Sequence, residues 1–452
     1  MQVTATLSEG LKREFRVVVP VTDLAARADA RLDDLKGRVN INGFRPGKVP
    51  TAHLKKLYGR AVLAETIEAL VGEANQKIVA DNGFKLAQEP SVKLPEAEAE
   101  AKAVFDGTAD LDYTVAFEVL PTIQLADFKG IKVERPVVEP AEADVQAMLE
   151  TMAKQNRPFE AKPAGATAES GDRLTIGFVG TIDGEKFEGG TDEDIQLELG
   201  SNSFIPGFED QLVGVKAGED RVVKVKFPSN YMAENLAGKD AEFAVTVKAI
   251  EKPGERAIDE EFAKLVGFED LAKLKAAVSD RLKSEYAAAS RRKVKRALLD
   301  ALDEKHAFDL PQTLVDQEFE SVWRQVSQDL ESRGKTFTDE ETTEEKARAE
   351  YRAIAERRVR LGLVLAEIGE KAQIKVSDEE VSRAVVERAR QFPGQEQQVW
   401  DYYRKTPEAL ASLRAPIFEE KVVDYILELA DVTEKPVSKD ELFKDNDDEE
   451  AA

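Results

Sequence analysis

Val3, Ala5 and Leu7 alternate with polar neighbours, and so do Phe15, Val17 and Val19. A period of two is the mark of a half-buried strand. The period then lengthens. Leu24, Ala28, Leu32, Leu35 and Val39 recur in steps of three or four, the stripe of an amphipathic helix. A second stripe runs through Leu63, Ile67, Leu70, Ala74 and Ile78, and Asn82-Gly83 predicts its stop. Leu111, Tyr113, Val115, Phe117 and Val119 return to alternation. Residues 1–135 therefore predict a small α+β unit with a loop, Asn40 to Pro50, between its two helices. Gly43, Pro46, Gly47 and Pro50 keep that loop non-helical, and Phe44 stands at its tip.

Further on, the pattern changes twice. Residues 136–170 carry Pro136, Pro140, Pro158 and Pro163 and predict a connector with one short helix between Glu142 and Asn156. Residues 171–251 show strand patterns at Leu174-Ile176-Phe178, Val223-Val225-Phe227 and Phe243-Val245-Val247, with a short helix near Phe208 to Val213. That is a compact, mostly β unit. Residues 252–435 predict an all-α unit. One stripe there is Val315, Phe319, Val322, Val326 and Leu330; another is Tyr351, Ile354, Arg358, Leu361, Leu365 and Ile368, interrupted only by Arg358. Pro311 and Pro407 suit first helical turns, and Ser377 with Glu380 reads as a capping box. Val399, Trp400, Tyr402 and Tyr403 read equally well as core or as surface. Residues 436–452 end in KDNDDEEAA and predict a disordered acidic tail. The fold class is an α+β multidomain chain.

Composition narrows the chemistry. The 452 residues carry no cysteine and two histidines, His53 and His306. Disulfides, thiolate zinc sites and cysteine nucleophiles are excluded, and a histidine-rich metal site with them. A net charge of −24 repels nucleic acid on average, so any RNA contact needs a local basic patch. The N-terminus lacks a basic start followed by an apolar run, and no stretch approaches the roughly 18 apolar residues of a membrane span. A cytoplasmic chain with no membrane partner and no cofactor is expected.

Two ordered segments carry the strongest signal in the middle unit. One is Leu174-Thr175-Ile176-Gly177-Phe178-Val179-Gly180-Thr181 with Asp183-Gly184-Glu185-Lys186-Phe187-Glu188. The other is Leu199-Gly200 with Phe204-Ile205-Pro206-Gly207-Phe208-Glu209; Tyr231 and Phe243 follow. Taken singly, each phenylalanine reads as core. As an ordered set they resemble the FKBP-type prolyl isomerase family over about 80 residues. The resemblance implies a pocket lined by Phe178, Phe187, Ile205, Phe208, Tyr231 and Phe243, with the Ile205 N–H holding the substrate carbonyl. Phe208 stands where the drug-binding members carry tryptophan, and Ile195 where they carry an aromatic residue.

Gly43-Phe44-Arg45-Pro46-Gly47-Lys48-Val49-Pro50 in the first unit resembles the ribosome-docking signature of the trigger factor family. Pro46 replaces a lysine found in some members. Alone, the segment also reads as a Pro/Gly turn with an incidental exposed ring. The order of the three units matches that family along essentially the whole chain. Membership implies a chaperone that docks near the tunnel exit of the large ribosomal subunit through Gly43, Phe44, Arg45, Pro46, Gly47 and Lys48. It also implies holding of nascent and unfolded polypeptides, aid to folding and export, isomerisation of X–Pro bonds, and pairing of two copies off the ribosome. A free prolyl isomerase with a helical dimerisation scaffold is the competing enzyme reading, and an export holdase the competing binding reading.

Overall fold

A computed structural model describes residues 1–37, 39, 44, 49–94, 98–228, 231, 233, 235–339 and 342–444. Its first unit is a four-stranded antiparallel sheet, in the order β1-β2-β4-β3. The strands are β1 (Gln2–Glu9), β2 (Lys12–Val19), β3 (Ser91–Lys93) and β4 (Leu111–Glu118). Two helices, α1 (Val21–Lys36) and α2 (Thr51–Asn82), cover it, and α3 (Glu98–Phe105) adds a short turn. Phe15, Val17 and Val19 of β2 face Tyr113, Val115 and Phe117 of β4 under Leu24, Ile67 and Ala74.

Two details depart from the expected pattern. β1 alternates as predicted, yet all eight of its residues are exposed. It is an edge strand paired only with β2, and none of its residues joins the core cluster, so alternation there does not mean burial. The second helix starts at Thr51, well before its predicted stripe. Leu54 and Val62 pack on Leu32 and Val49 in a small cluster of their own, which closes the base of the α1–α2 loop. Gly83, at φ +64°, ends the helix in the left-handed conformation that the Asn-Gly stop predicts.

The middle unit is a five-stranded antiparallel sheet of β6 (Phe159–Ala161), β7 (Arg173–Ile182), β8 (Glu185–Glu198), β9 (Asp220–Lys226) and β10 (Asp240–Pro253). β10 pairs with β6, β7 and β9. The short helix expected near Phe208 is a 3₁₀ turn at Asp210–Leu212.

The helical body comprises α5 (Glu260–Leu265), α6 (Leu271–Lys305), α7 (Gln312–Ser332), α8 (Glu344–Lys371), α9 (Asp378–Arg390), α10 (Glu396–Lys405) and α11 (Pro407–Leu429). Leu298, Leu302, Val364, Ile368, Val422 and Ile426 are fully buried where α6, α8 and α11 meet. Gly369 lies directly under the Phe418 ring, where a Cβ would collide. The capping box of Ser377 and Glu380 is present at α9. Pro407 opens α11 as its first residue, while Pro311 stands one position before α7.

The connector and the tail are more structured than their composition suggested. β5 (Lys132–Val137) pairs in parallel with β11 (Asp431–Pro436), and α4 (Glu142–Gln155) buries Leu149 and Ala153 against Phe262, Leu274 and Val278. Both ends of the connector are thus part of packed units: α4 belongs to the helical body, and β6 to the middle sheet. Past β11, α12 (Lys439–Phe443) buries Leu442 and sets Phe443 5.8 Å from the Tyr286 ring. The disordered tail predicted for 436–452 is corrected over those residues, because Leu442 and Phe443 supply apolar contacts that the acidic run lacks. Residues 445–452 lie outside the described residues.

Candidate functional site

The isomerase-like residues meet on one side of the middle sheet. Phe178 on β7 and Phe243 on β10 lie diagonally across paired strands, with ring centroids 5.8 Å apart. Phe208, from the turn after β8, packs 5.3 Å from Phe243 and 6.4 Å from Phe178. Phe187 stands edge-on to Phe243 at 6.0 Å. Edge-to-face contacts let the positive rim of one ring meet the negative face of the next. The cluster extends through Phe227, 5.8 Å from Phe187, to Tyr231, whose ring is 4.7 Å from Phe227.

Exposure separates these residues into two kinds. Phe208 is 0% exposed, Phe243 4% and Phe178 9%, whereas Tyr231 is 39% exposed. Phe187 and Ile205 are half-buried. The first three belong to the buried core of the unit, worth roughly 1.5–3 kcal/mol each in burial. Tyr231, Ile205 and Phe187 reach the surface. Ile195 packs half-buried against the same cluster.

Two glycines make the rings fit. A Cβ on Gly180 would sit 2.6 Å from Phe243 and 2.9 Å from Phe187; one on Gly190 would sit 2.8 Å from Phe187. Both rings approach bare backbone more closely than a side chain there would allow.

Glu209 is the residue whose role sequence reasoning missed. It is 6% exposed, and its carboxylate accepts N–H bonds from Gly200 (2.8 Å), Asn202 (3.0 Å), Ser203 (2.8 Å) and Phe204 (3.2 Å). Burial opposes its ionisation, but the four donors outweigh burial and hold the carboxyl below the usual range. The segment from Gly200 to Phe204 is thereby wrapped around one anion. The next N–H, that of Ile205, has no acceptor among the described residues, while the Ile205 carbonyl accepts from Phe208 at 3.0 Å. Phe204 also joins the aromatic cluster, 5.0 Å from Phe208. Its spacing of four from Phe208 was the available signal; a buried, satisfied Glu209 leaves none.

The first unit presents a different surface. Phe44 is 36% exposed, with its ring 5.2 Å from that of His53 on α2. Gly43, Arg45, Pro46, Gly47 and Lys48 lie outside the described residues. His306 plays no part in either site: it is buried, accepts the Ala126 N–H at Nε2 (3.1 Å), and donates from Nδ1 to the Leu302 carbonyl (2.7 Å). Trp400 and Tyr402 turn out exposed, while Val399 and Tyr403 are half-buried.

Comparison with known proteins agrees along the full length. Residues 1–152 match the bacterial trigger factor protein family, and residues 270–428 match the family's C-terminus. Trigger factors from Bradyrhizobium sp. and Rhodopseudomonas palustris are 60% and 59% identical over 452 residues, covering 100% of both chains in each case. The chain belongs to the trigger factor family. Residues 165–248 separately match the FKBP-type peptidyl-prolyl cis-trans isomerase family. A trigger factor of Azorhizobium caulinodans is 60% identical over 451 residues. A solved trigger factor chaperone shares the fold, with a TM-score of 0.57 and 22% identity over 95% of this chain and 99% of that one. The chain is accordingly a chaperone with an FKBP-type domain, and a peptidyl-prolyl cis-trans isomerase. Among the described residues no helix is long and apolar enough to cross a membrane.

Proposed function

We propose that this chaperone docks on the large ribosomal subunit near the tunnel exit, in the cytoplasm, and receives nascent polypeptides there. Residues 1–135 dock, residues 171–251 isomerise, residues 252–435 hold clients, and residues 136–170 join them. Off the ribosome, two copies pair. The observation that carries the docking reading is Phe44. An aromatic ring left 36% exposed at the loop end of a helical hairpin is an anchor awaiting an apolar notch. On this reading Gly43, Arg45, Pro46, Gly47 and Lys48 complete the contact, the two cations neutralising phosphate or carboxylate groups. Lys55, Lys56 and Arg60 on α2 add local positive charge to this unit.

For catalysis, Phe178, Phe187, Ile205, Phe208, Tyr231 and Phe243 line the pocket. Rotation about an X–Pro bond is slow because amide resonance must be lost. The twisted transition state is less charge-separated than the planar amide, so a dry aromatic wall favours it over the ground state. The Ile205 N–H holds the substrate carbonyl while the bond turns. No acid, base or nucleophile is needed.

Co-sedimentation with large ribosomal subunits tests the docking reading. Wild type should pellet, and a folded Phe44→Ala, Arg45→Ala, Lys48→Ala variant should stay in the supernatant. Equal pelleting would move docking elsewhere on the chain. Pelleting of neither would favour a free isomerase.

A further inference from the structure

Two cavities in the helical body, of about 730 and 760 Å³, share Ile354 and Arg358 of α8 in their walls. The first lies between α6, α8 and α11 over an apolar floor of Leu299, Leu361 and Leu365. Five of the charged groups in its wall are cations, Arg292, Lys295, Arg296, Arg357 and Arg358, against one anion, Glu419. In a chain of net charge −24 that is a local reversal. Lys295 is held by Glu419 and Glu420, and Arg357 by Asp300. Arg296 makes no ion pair among the described residues. Arg358 touches Glu318 through one nitrogen only, at 3.3 Å.

Two features there are not explained by apolar packing. Arg358 occupies a position of the apolar stripe of α8, between Ile354 and Leu361. Gly362 also lines the cavity, in the middle of a 28-residue helix. Inside a helix glycine is less favourable than alanine, because it loses more backbone freedom on folding. Gly369, further along the same helix, is explained by the Phe418 ring packed against it. At Gly362 an added Cβ would meet nothing within 4 Å. The glycine faces open space, where another chain can approach the bare helix backbone.

We propose that this cavity binds a segment of unfolded polypeptide in which an aliphatic side chain neighbours an aspartate or glutamate. The aliphatic group seats over Gly362 on the leucine floor, where it gains burial. The carboxylate meets the remaining donors of Arg358 and the Arg296 guanidinium, in charge-assisted hydrogen bonds. Arg358 thus determines which clients this end of the helical body prefers. The inference rests on the client-holding reading above.

The test uses the full chain and three short fluorescent peptides of one leucine-rich sequence, with Glu, Gln or Lys at the central position. Anisotropy should rank Glu above Gln above Lys, with Glu about tenfold tighter than Lys, and salt should compress the difference. Gly362→Leu, which fills the space and improves the helix, should weaken all three peptides without loss of helicity or melting temperature. Gly362→Ala should have a smaller effect in the same direction. Arg358→Glu should reverse the ranking. The proposal is overturned if Gly362→Leu binds like wild type, or if Arg358→Glu keeps the wild-type order. It is also overturned if wild type binds no peptide yet still suppresses aggregation of a denatured client, since clients are then held elsewhere. Loss of that suppression as well would overturn the client-holding reading itself.

Discussion

Glu118, the last residue of β4, caps α7 through Thr313. Its carboxylate accepts the Thr313 N–H at 2.9 Å and the Gln312 N–H at 2.8 Å, together with the Thr313 hydroxyl. The residue is 7% exposed. Pro311 precedes α7 and has no side chain able to cap it, so the first free N–H groups of the helix are satisfied from another unit. Lys85 with Glu370 (2.7 Å) and Gln88 with Gln317 (3.1 Å) reinforce the same junction. Glu118→Ala should cost about 1–3 kcal/mol at this junction. Hydrogen exchange should show faster exchange in the first turn of α7 and little change in the middle sheet.

Glu209 predicts an acid-sensitive isomerase loop. Its carboxyl titrates lower in the folded chain than in the unfolded one. The group therefore contributes stability above its unfolded pKa, near the ordinary carboxylate value of about 4.3, and that contribution is lost as pH falls through the folded value. Glu209→Gln should remove this acid-dependent part and lower stability at neutral pH. Prolyl isomerisation should fall mainly in kcat/KM, because the segment before Ile205 loses its anchor. Denaturant melts at pH 7 and pH 4 check the sign: the gap between variant and wild type should narrow at the lower pH.

The buried and the exposed aromatic residues should respond differently to truncation. Phe208→Ala removes a fully buried ring and should cost about 3–5 kcal/mol. Tyr231→Ala removes a surface ring and should leave the melting temperature nearly unchanged while lowering isomerase activity. An unchanged activity in folded Tyr231→Ala would remove Tyr231 from the pocket.

Gly180→Ala should be harmful despite its small size. The new methyl would lie 2.6 Å from Phe243, so the ring or the strand must move. Overpacking of this kind costs about 1–3 kcal/mol. Near-ultraviolet circular dichroism should report the disturbed rings, and isomerase activity should fall with them.

Glu380 offers a second titration test, away from both sites. Lys421 donates to it at 2.8 Å, and the Ser377 N–H and hydroxyl donate at 2.7 and 2.9 Å. These partners lower its pKa to about 2. The stabilisation is present above the usual carboxylate range and is lost as pH falls towards 2. In Lys421→Met the carboxyl should titrate closer to its ordinary value, measurable by NMR on selectively labelled glutamate.

Much of this protein is legible from local pattern. The helical stripes of α7 and α8, the Asn82-Gly83 stop, the Ser377 capping box and the alternation in β4, β7 and β10 rest on periodicity and backbone preference, which neighbours in sequence determine. The ordered FKBP-type motifs alone suffice to group Phe178, Phe208 and Phe243, because a shared family preserves which strands meet. The remainder depends on partners distant in sequence. β1 alternates like β2, but its edge position leaves both faces exposed. In sequence Arg358 merely interrupts a stripe; in the fold, two cavities meet around it. Gly362 and Gly369 are indistinguishable in sequence, yet one faces empty space and the other a phenylalanine. Glu118 and Glu209 are two of 88 acidic residues, and only the fold brings orphan N–H groups to them. A hydrogen-bond partner contributed by another element has no period, so no local pattern announces it.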